Sequence, residues 1–323
     1  MAGDLDGASA LLHLLSTATG PQPAADLAAA LHLAPERMAV LLEALQHMDP
    51  QLLCHDGDGI RLQRPLNLLD ADYLHSHSSR GRLDLVAETA STNSLMLEHC
   101  ANTVSGDVII AEIQYRGRGR RGREWQGSIG RQLTLSMSWG FLHLDSITGL
   151  SVAVGTALVS ALHDLGFKGV MLKWPNDLCL AGRKCGGILV ETRASGRGLF
   201  SVIGVGLNVF ALPQMPGEDQ PCFAALEDDL SAGGHEHLER NFLAAGLINA
   251  MRTALRGFEE RGFGAFAGEL ERFNFLRGRE VTVSTGERQV RGQVLGIGED
   301  GLLLVRSGTR TLSLRSGHIL SYS

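Results

Sequence analysis

Residues 114–125 constrain the fold of this chain more than any other segment. They read Gln-Tyr-Arg-Gly-Arg-Gly-Arg-Arg-Gly-Arg-Glu-Trp, so five arginines are interleaved with three glycines. Glycine lets backbone amides approach a ligand closely, and arginine presents a permanent, planar set of donors to phosphate or carboxylate. The run is therefore suited to closing over a polyanion. Arg-Gly runs are also typical of disordered RNA-binding segments and of solvated surface.

The residues on either side of this run favour the folded alternative. Residues 107–114 are rich in β-branched side chains, and residues 131–139 alternate between apolar and polar side chains. Both patterns are typical of strands. We therefore expect residues 117–123 to form a lid between two strands, with Trp125 offering a flat apolar face to a ring system.

Composition narrows the class of protein. The 323 residues are 44% hydrophobic and 20% charged, which indicates two or three soluble domains. The N-terminus lacks the basic region of a signal peptide, and polar residues interrupt the most apolar window, 147–167, which predicts a buried helix. We expect a cytoplasmic protein without a membrane segment. Five scattered cysteines without a Cys-x-x-Cys pair predict reduced thiols and no protein metal site.

Lysine is rare in this chain. Only Lys168, Lys173 and Lys184 are lysines among 29 basic residues. Lysine and arginine are not interchangeable, so a retained lysine can mark a place that needs a compact ammonium. Lys173 and Lys184 fall in motifs marked by proline or glycine; chance placement is the alternative, since three residues are a small sample.

Residues 1–65 are predicted to form a winged helix-turn-helix. Three helical runs, the third spanning residues 36–48 with Pro35 at its start, precede a hairpin signal at residues 56–58, Asp-Gly-Asp. Three helices followed by a β-hairpin are the pattern of this DNA-binding motif.

The remainder divides into three parts. Residues 66–84 predict a short helix and a polar linker, residues 85–275 a mixed α/β domain, and residues 276–323 a small β-barrel of short strands. In the mixed domain the predicted strands are 107–114, 132–139, 169–173, 177–180, 185–192 and 199–209, and the predicted helices are about 93–102, 148–166 and 236–262.

Two motifs could form a site with the lid. Ser91, Thr92 and Asn93 precede a helix, where they can cap it or bind a small polar ligand. Lys173 begins Lys-Trp-Pro-Asn-Asp-Leu after a predicted strand. A lysine fixed there can stabilise charge on a transferred phosphorus centre, although a surface lysine beside a turn is the simpler alternative.

Two glycine motifs complete the set. Residues 184–191, Lys-Cys-Gly-Gly-Ile-Leu-Val-Glu, place paired glycines at the start of an apolar strand, which indicates close approach by a ligand. Residues 204–209, Gly-Val-Gly-Leu-Asn-Val, lack the third glycine and the helix of a dinucleotide fingerprint. Asn208 could contact an adenine edge or satisfy a buried backbone group.

Taken in order, these motifs resemble those of the biotin protein ligase family, and the helical domain before them is similar to that of its bifunctional ligase–repressor members. The resemblance covers nearly the whole chain. It implies a multidomain α+β fold with a class II synthetase-like catalytic domain and a C-terminal SH3-like barrel. Tyr115 and Arg116 depart from the small or polar residues usual in the family before the first lid glycine, and Arg116 adds a charge at the hinge of the lid.

The resemblance also implies roles for individual residues. Those implied to act in catalysis are Lys173, Arg118, Arg120 and Arg121. Those implied to bind biotin are Ser91, Thr92, Asn93, Gln114, Arg118, Gly119, Arg120, Lys173 and Gly187, and those implied to bind the adenylate are Gly117, Arg121, Gly122, Arg123, Trp125, Asn176 and Asn208.

The implied reaction has two steps. Biotin and MgATP give biotinyl-5′-AMP and pyrophosphate, and a lysine of the biotin carboxyl carrier protein of acetyl-CoA carboxylase then takes the biotin. Three alternatives stay open: a lipoate or octanoate ligase, a biotin-responsive repressor, and an inactive paralogue, which the intact motifs disfavour. A homodimer is a further expectation left open.

Charge argues against DNA binding by residues 1–65. They contain three arginines and eight acidic residues, a balance of 3 − 8 = −5, and the predicted wing carries Asp56 and Asp58. Phosphate neutralisation supplies most non-specific DNA affinity. We therefore predict weak or absent operator binding.

Overall fold

The computed structural model describes residues 5–57, 59–79, 81–141, 147–195, 198–212, 223–229, 238–286 and 288–323. Asp58 of the predicted wing, Cys222, and the first residues of the helix predicted at 236–262 lie outside these ranges.

The N-terminal unit packs three helices against a small sheet. Met38, Leu41 and Leu45 recur at helical spacing on the third helix and are buried at its centre, as the sequence predicted. The hairpin is also confirmed, and a short strand before the second helix joins it, giving the order β1-β3-β2. The elements are α1 (Ala8–Thr17), β1 (Gln22–Pro23), α2 (Ala24–Ala30), α3 (Pro35–Met48), β2 (Leu53–Asp56) and β3 (Gly59–Leu62).

A mixed seven-stranded sheet forms the centre of the molecule, in the order β4-β5-β8-β12-β11-β10-β9. Strands β4 and β5 are parallel, and the other neighbours are antiparallel. The elements of this region are α4 (Ala71–His77), β4 (Leu83–Thr89), α5 (Thr92–Glu98), β5 (Val108–Gln114), β6 (Gly117–Arg118), β7 (Glu124–Trp125), β8 (Gln132–Phe141), α6 (Leu150–Asp164), β9 (Val170–Lys173), β10 (Asp177–Leu180), β11 (Arg183–Ser195), β12 (Gly198–Asn208), α7 (Arg240–Arg261) and α8 (Ala267–Phe273).

Strand alternation gives the sheet two different faces. On β8, Leu133, Met137 and Trp139 join the main core with α6 and α7, and α6 is the buried helix predicted from the apolar window. Ser136, of the opposite parity, points towards α5 and hydrogen-bonds to its first residues. One face is therefore filled by helices, and the other leaves room beside α5.

Several boundaries differ from the sequence predictions. Strand β4 begins at Leu83, inside the segment predicted as linker, and the sequence analysis did not identify it as a strand. Helix α5 ends at Glu98, and a 3-10 turn over Cys100–Asn102 completes the predicted span. Helix α7 begins after Glu239, whose carboxylate accepts from the Phe242 amide at 2.7 Å and caps the helix.

The C-terminal residues form a five-stranded antiparallel sheet in the order β16-β15-β14-β13-β17, made of β13 (Glu280–Ser284), β14 (Gln289–Ile297), β15 (Leu303–Ser307), β16 (Arg310–Leu314) and β17 (His318–Tyr322). This sheet packs beside the β9–β10 edge of the central sheet. Trp174 Nε1 donates to Gly301 O at 3.2 Å, and Tyr322 Oη donates to Gly182 O at 2.9 Å. These contacts bring β17 next to the predicted lysine motif.

The N-terminal unit is attached at the opposite side. Asp49, which is fully buried, follows α3, and its Oδ2 lies 3.4 Å from Arg64 Nη2 and 3.6 Å from Arg131 Nε. Arg64 Nη2 also donates to Ile129 O at 2.8 Å. The end of α3 is thereby fixed beside the start of β8. None of the helices described is long and apolar enough to cross a membrane.

Candidate active site

A cavity of about 950 Å³ lies between the lid and the polar face of the central sheet. All but one of the predicted site residues line it, and the exception is Gly122. Gly122 instead sits at the tip of the lid with φ 73°, next to Arg121 at φ 59°, so it permits the tight turn. The structure thus brings together motifs that are up to 117 positions apart, from Ser91 to Asn208.

The end of the cavity beside α5 is polar and buried. Gln114 Oε1 accepts from the Thr92 amide at 2.9 Å and from Thr92 Oγ1 at 3.2 Å. Ser136 Oγ lies 2.7 Å from Thr92 Oγ1 and 2.6 Å from Asn93 Oδ1. Ser91 caps α5 by accepting from the Ser94 amide at 3.4 Å, so capping and cavity formation come from one motif.

The lid is an ordered β-ribbon. Gly117 and Arg118 of β6 pair with Trp125 and Glu124 of β7, and the Gly119 amide donates to Arg123 O at 2.7 Å. Before the ribbon, Tyr115 packs against the core of the N-terminal unit, which accounts for an aromatic residue at this departure from the family pattern. The lid is therefore held at its hinge as well as along its strands.

Three lid arginines contact different walls of the cavity. Arg118 Nη2 donates to Glu191 Oε2 at 2.9 Å, and Arg120 Nη1 donates to Asn176 Oδ1 at 2.7 Å. Arg123 Nη2 lies 3.0 Å from His318 Nε2 of the C-terminal sheet. Burial lowers the pKa of Arg120, but a guanidinium keeps its proton in proteins.

Lys173, Lys184 and Asp177 form a charged cluster on the floor. Lys184 Nζ lies 2.7 Å from Asp177 Oδ1, and Lys173 Nζ lies 4.4 Å from the centroid of the Tyr322 ring. Burial lowers the pKa of Lys173 below its ordinary value, and the Asp177 carboxylate opposes that shift. Gly187 lies beside the cluster, because a Cβ there would be 3.2 Å from Lys184 Nζ.

The two glycines of Gly204-Val-Gly206 have a steric purpose. A Cβ at Gly204 would lie 2.2 Å from Asn93 Oδ1, and one at Gly206 would lie 2.6 Å from Trp125 Cε2. Both positions face the cavity from β12, because they are two residues apart on a strand. Within the part of the chain that the structure describes, the buried Trp125 Nε1 has no hydrogen-bond partner. The indole therefore packs against bare backbone at Gly206, with its Nε1 edge buried against β12.

Asn208 is held from two sides. Its Oδ1 accepts from Gln132 Nε2 at 2.9 Å, and its Nδ2 donates to Ala224 O at 3.0 Å. Gln132 Oε1 in turn accepts from the Ser128 amide at 3.0 Å. The amide of Asn208 thus satisfies a buried backbone group, one of its two predicted uses, while the residue also lines the cavity.

Sequence reasoning left several lining residues without a site role. The sequence did contain a signal for Lys184, since it opens the glycine motif at residues 184–191 and is one of only three lysines. His318 had none, because it lies 195 positions from its lid partner Arg123. His47 and Met48, at the end of α3, also line the cavity, which no local pattern indicated.

Among the residues that the structure describes, no three His, Cys, Asp or Glu side chains are grouped so as to hold a metal ion. The carboxylates lining the cavity are those of Glu124 and Asp177. This set fits a magnesium ion that arrives with phosphate, because Mg²⁺ commonly takes one or two carboxylates together with phosphate oxygens.

Comparison with known proteins agrees with this geometry. A model of the biotin/lipoate A/B protein ligase family matches residues 85–208, and a biotin protein ligase C-terminal domain matches residues 277–320. The bifunctional ligase/repressor BirA of Salmonella typhimurium is 36% identical over 253 residues, covering 77% of each chain. This chain belongs to the biotin protein ligase family. The resemblance inferred from the motifs is thereby confirmed.

Two further relatives extend the match. The biotin–[acetyl-CoA-carboxylase] ligase of Mycobacterium tuberculosis is 31% identical over 278 residues, covering 81% of this chain and 98% of the relative. A solved structure of the Aquifex aeolicus biotin protein ligase in complex with biotin and ATP aligns with a TM-score of 0.63 and 26% identity, over 76% of this chain and 99% of that one. The α+β architecture with a central mixed sheet is therefore that of the family.

Proposed function

We propose that this chain is an ATP-dependent biotin–[acetyl-CoA-carboxylase] ligase, which forms biotinyl-5′-AMP and transfers biotin to a lysine of the biotin carboxyl carrier protein. The observation that carries the proposal is the cavity, in which a buried polar end, a cationic lid and a flat indole face occur together. Each of these suits one part of a biotinyl-adenylate. The family membership and the biotin- and ATP-bound relative support the same assignment.

The polar end suits the ureido ring of biotin. That ring has one carbonyl acceptor and two N–H donors, and Thr92, Gln114 and Asn93 line the cavity with groups of both kinds. Buried groups that hydrogen-bond a substrate reject analogues that lack the matching atoms. Lipoate and octanoate have no such ring, so the polar end favours biotin.

The cationic groups suit the first step. A biotin carboxylate oxygen attacks the α-phosphorus of ATP, a P–O bond forms, and the bond to pyrophosphate breaks. Two anions must approach each other, and Arg120, Arg121, Lys173 and Lys184 line the cavity where they can offset the repulsion. A closed lid also keeps water from the mixed anhydride.

In the second step the lysine amine of the carrier protein attacks the carbonyl carbon of the anhydride. A C–N bond forms, the C–O bond to phosphate breaks, and AMP leaves with that electron pair while the nitrogen loses a proton. Positioning of the amine can supply much of the acceleration, because holding reactants together replaces a bimolecular encounter. Asp177, a carboxylate that lines the cavity, could hold a Mg²⁺ ion that arrives with ATP, and such an ion would neutralise charge on the phosphates.

The finer domain assignments are part of the proposal. Three helices with a three-stranded sheet support a winged helix-turn-helix at 1–65, and the five-stranded antiparallel sheet supports an SH3-like barrel at 276–323. We place a helix and linker at 66–84 and the catalytic domain at 85–275. A homodimer stays a prediction.

Weak or absent operator binding is also part of the proposal. Each arginine of the N-terminal unit already contacts an oxygen of that unit: Arg37 the Asp6 carbonyl, Arg61 the Asp56 carboxylate, and Arg64 the Asp49 carboxylate. These contacts compete with DNA phosphate for the unit's few cations. A mobility-shift titration at low salt tests this, and sequence-dependent binding at nanomolar protein would overturn it.

Pyrophosphate exchange into ATP tests the enzymatic proposal, with biotin, lipoate and octanoate compared in parallel. We expect exchange with biotin alone, lost in Lys173→Ala and retained in Lys168→Ala, because Lys168 is exposed outside the cavity. Exchange with lipoate or octanoate instead would reassign the substrate. No exchange with any acid would overturn the proposal in favour of a regulatory role.

A further inference from the structure

Glu191 joins two parts of the site that the sequence treats as separate motifs. It lies on β11, and its Oε2 accepts from Asn93 Nδ2 at 2.9 Å and from Arg118 Nη2 at 2.9 Å. Asn93 belongs to the polar end of the cavity, and Arg118 belongs to the lid. One carboxylate oxygen therefore connects the polar end of the cavity to the lid.

The Asn93 side of this connection is rigid. Asn93 is 3% exposed, and its Oδ1 lies 2.6 Å from Ser136 Oγ. Its amide group occupies the space that a Cβ at Gly204 would need. The orientation of that amide is thus fixed, with the NH₂ group directed at Glu191. Side-chain entropy usually cancels much of the gain from a surface ion pair. Here the Glu191 carboxylate is already held by the buried amide of Asn93, so pairing with Arg118 costs less side-chain entropy.

Two other lid arginines contact uncharged groups. Arg120 donates to the amide of Asn176, and Arg123 contacts the ring of His318. Among the ion pairs found in the described residues, Arg118–Glu191 is the one that includes a lid arginine. The charge of Arg118 is therefore already balanced, whereas Arg120 and Arg123 keep their charge for a phosphate.

We propose that Glu191 is a positioning residue that clasps Arg118 and holds the first strand of the lid over the polar end of the cavity before any ligand binds. The lid arginines then divide the work. Arg118 closes the lid by its pair with Glu191, and Arg120, Arg121 and Arg123 face the anionic ligand. The closure belongs to the free protein, and only its benefit to biotin binding rests on the proposed function.

Limited proteolysis of the ligand-free protein tests the clasp directly. The lid offers trypsin several arginines, and cleavage requires it to open. Glu191→Gln keeps the size of the side chain and removes its charge, so we expect cleavage after Arg120 and Arg121 to accelerate at least about threefold, in line with a charged hydrogen bond that is partly exposed. Asp84→Asn is the matched control, because it breaks the exposed Arg82–Asp84 pair, 2.7 Å long, at the far end of β4.

Arg118→Gln keeps the result decisive if Glu191→Gln impairs folding, because Arg118 is 45% exposed. It should accelerate the same cleavages by a similar factor, and the double variant should add little, since both substitutions remove the same interaction.

In pyrophosphate exchange, Glu191→Gln should raise the KM for biotin more than it lowers kcat. Cleavage at the wild-type rate in folded Glu191→Gln or Arg118→Gln protein would overturn the clasp. Faster cleavage in a protein that never exchanges pyrophosphate would leave the clasp standing and defeat only the proposed function.

Discussion

Lys184 Nζ lies 2.7 Å from Asp177 Oδ1, so this lysine enters the cavity already paired with a carboxylate. The same carboxylate opposes the effect of burial on the pKa of Lys173. Asp177 therefore pairs with one ammonium group and acts electrostatically on a second, and both lysines line the cavity. A compact ammonium suits such a crowded floor better than the broad guanidinium used elsewhere in this chain.

We predict that Lys184→Gln lowers the rate of adenylate formation by about 10²-fold, the usual effect of removing one preorganised donor at developing charge. Rapid-quench measurement of pyrophosphate release in a single turnover gives this rate. Lys168→Gln is the matched control and should react like wild type, because Lys168 is exposed. A Lys184→Gln rate within twofold of wild type would remove this lysine from the mechanism.

We predict that Gly206→Ala raises the KM for ATP about tenfold, because the new Cβ would meet Trp125 Cε2 at 2.6 Å and push the indole off the strand. The melting temperature should change little, since the lid can yield. Steady-state kinetics and thermal unfolding measure the two effects. Gly268→Ala serves as control, as its Cβ would meet no atom within 4 Å. An unchanged KM in Gly206→Ala would mean that the indole does not bind the nucleotide.

His318 should make the fold sensitive to mild acid. Burial, followed by the charges of Arg123 and Arg121, lowers the pKa of His318 below its ordinary value. The folded protein then binds this proton less readily than the unfolded chain, so its stability falls as pH drops through the ordinary value of about 6.5 towards the lower folded value. Melting temperatures at pH 7.5 and 5.5 should differ less in His318→Gln than in wild type. An equal difference in both proteins would contradict the prediction.

The buried pair of Arg240 and Glu112 should behave as a unit. Arg240 Nη1 donates to Glu112 Oε1 at 2.7 Å, and both side chains are buried. Replacing either residue alone leaves the other as a buried charge without its partner. Arg240→Met should therefore lower the free energy of unfolding by about 3–5 kcal/mol. Urea denaturation of Arg240→Met, Glu112→Leu and the double variant measures this. The double variant should lose clearly less than the sum of the single losses, and simple additivity would count against a coupled pair.

Local patterns in the sequence predicted much of this structure. The alternation of residues 131–139 identified β8, and the lid followed from arginine and glycine between two strands. The cap at Ser91 was equally local. Each of these features depends on a few neighbouring residues, which is why a sequence alone can show it.

Other features depend on distant parts of the chain. Strand β4 reads Leu-Asp-Leu-Val-Ala-Glu-Thr, with little alternation, and is defined by its parallel partner β5. His318 reaches the lid only because Trp174 and Tyr322 dock the C-terminal sheet on the central one. Such long-range packing leaves no local periodicity, so the sequence analysis could not find the histidine.

The position of β17 has a consequence for protein synthesis. His318 and Tyr322 touch the lid arginine Arg123 and the cavity lysine Lys173, yet they are translated more than a hundred residues after Lys173. A nascent chain on the ribosome can build the central sheet and still lack this wall. The cavity is therefore complete only once β17 has packed against the central sheet.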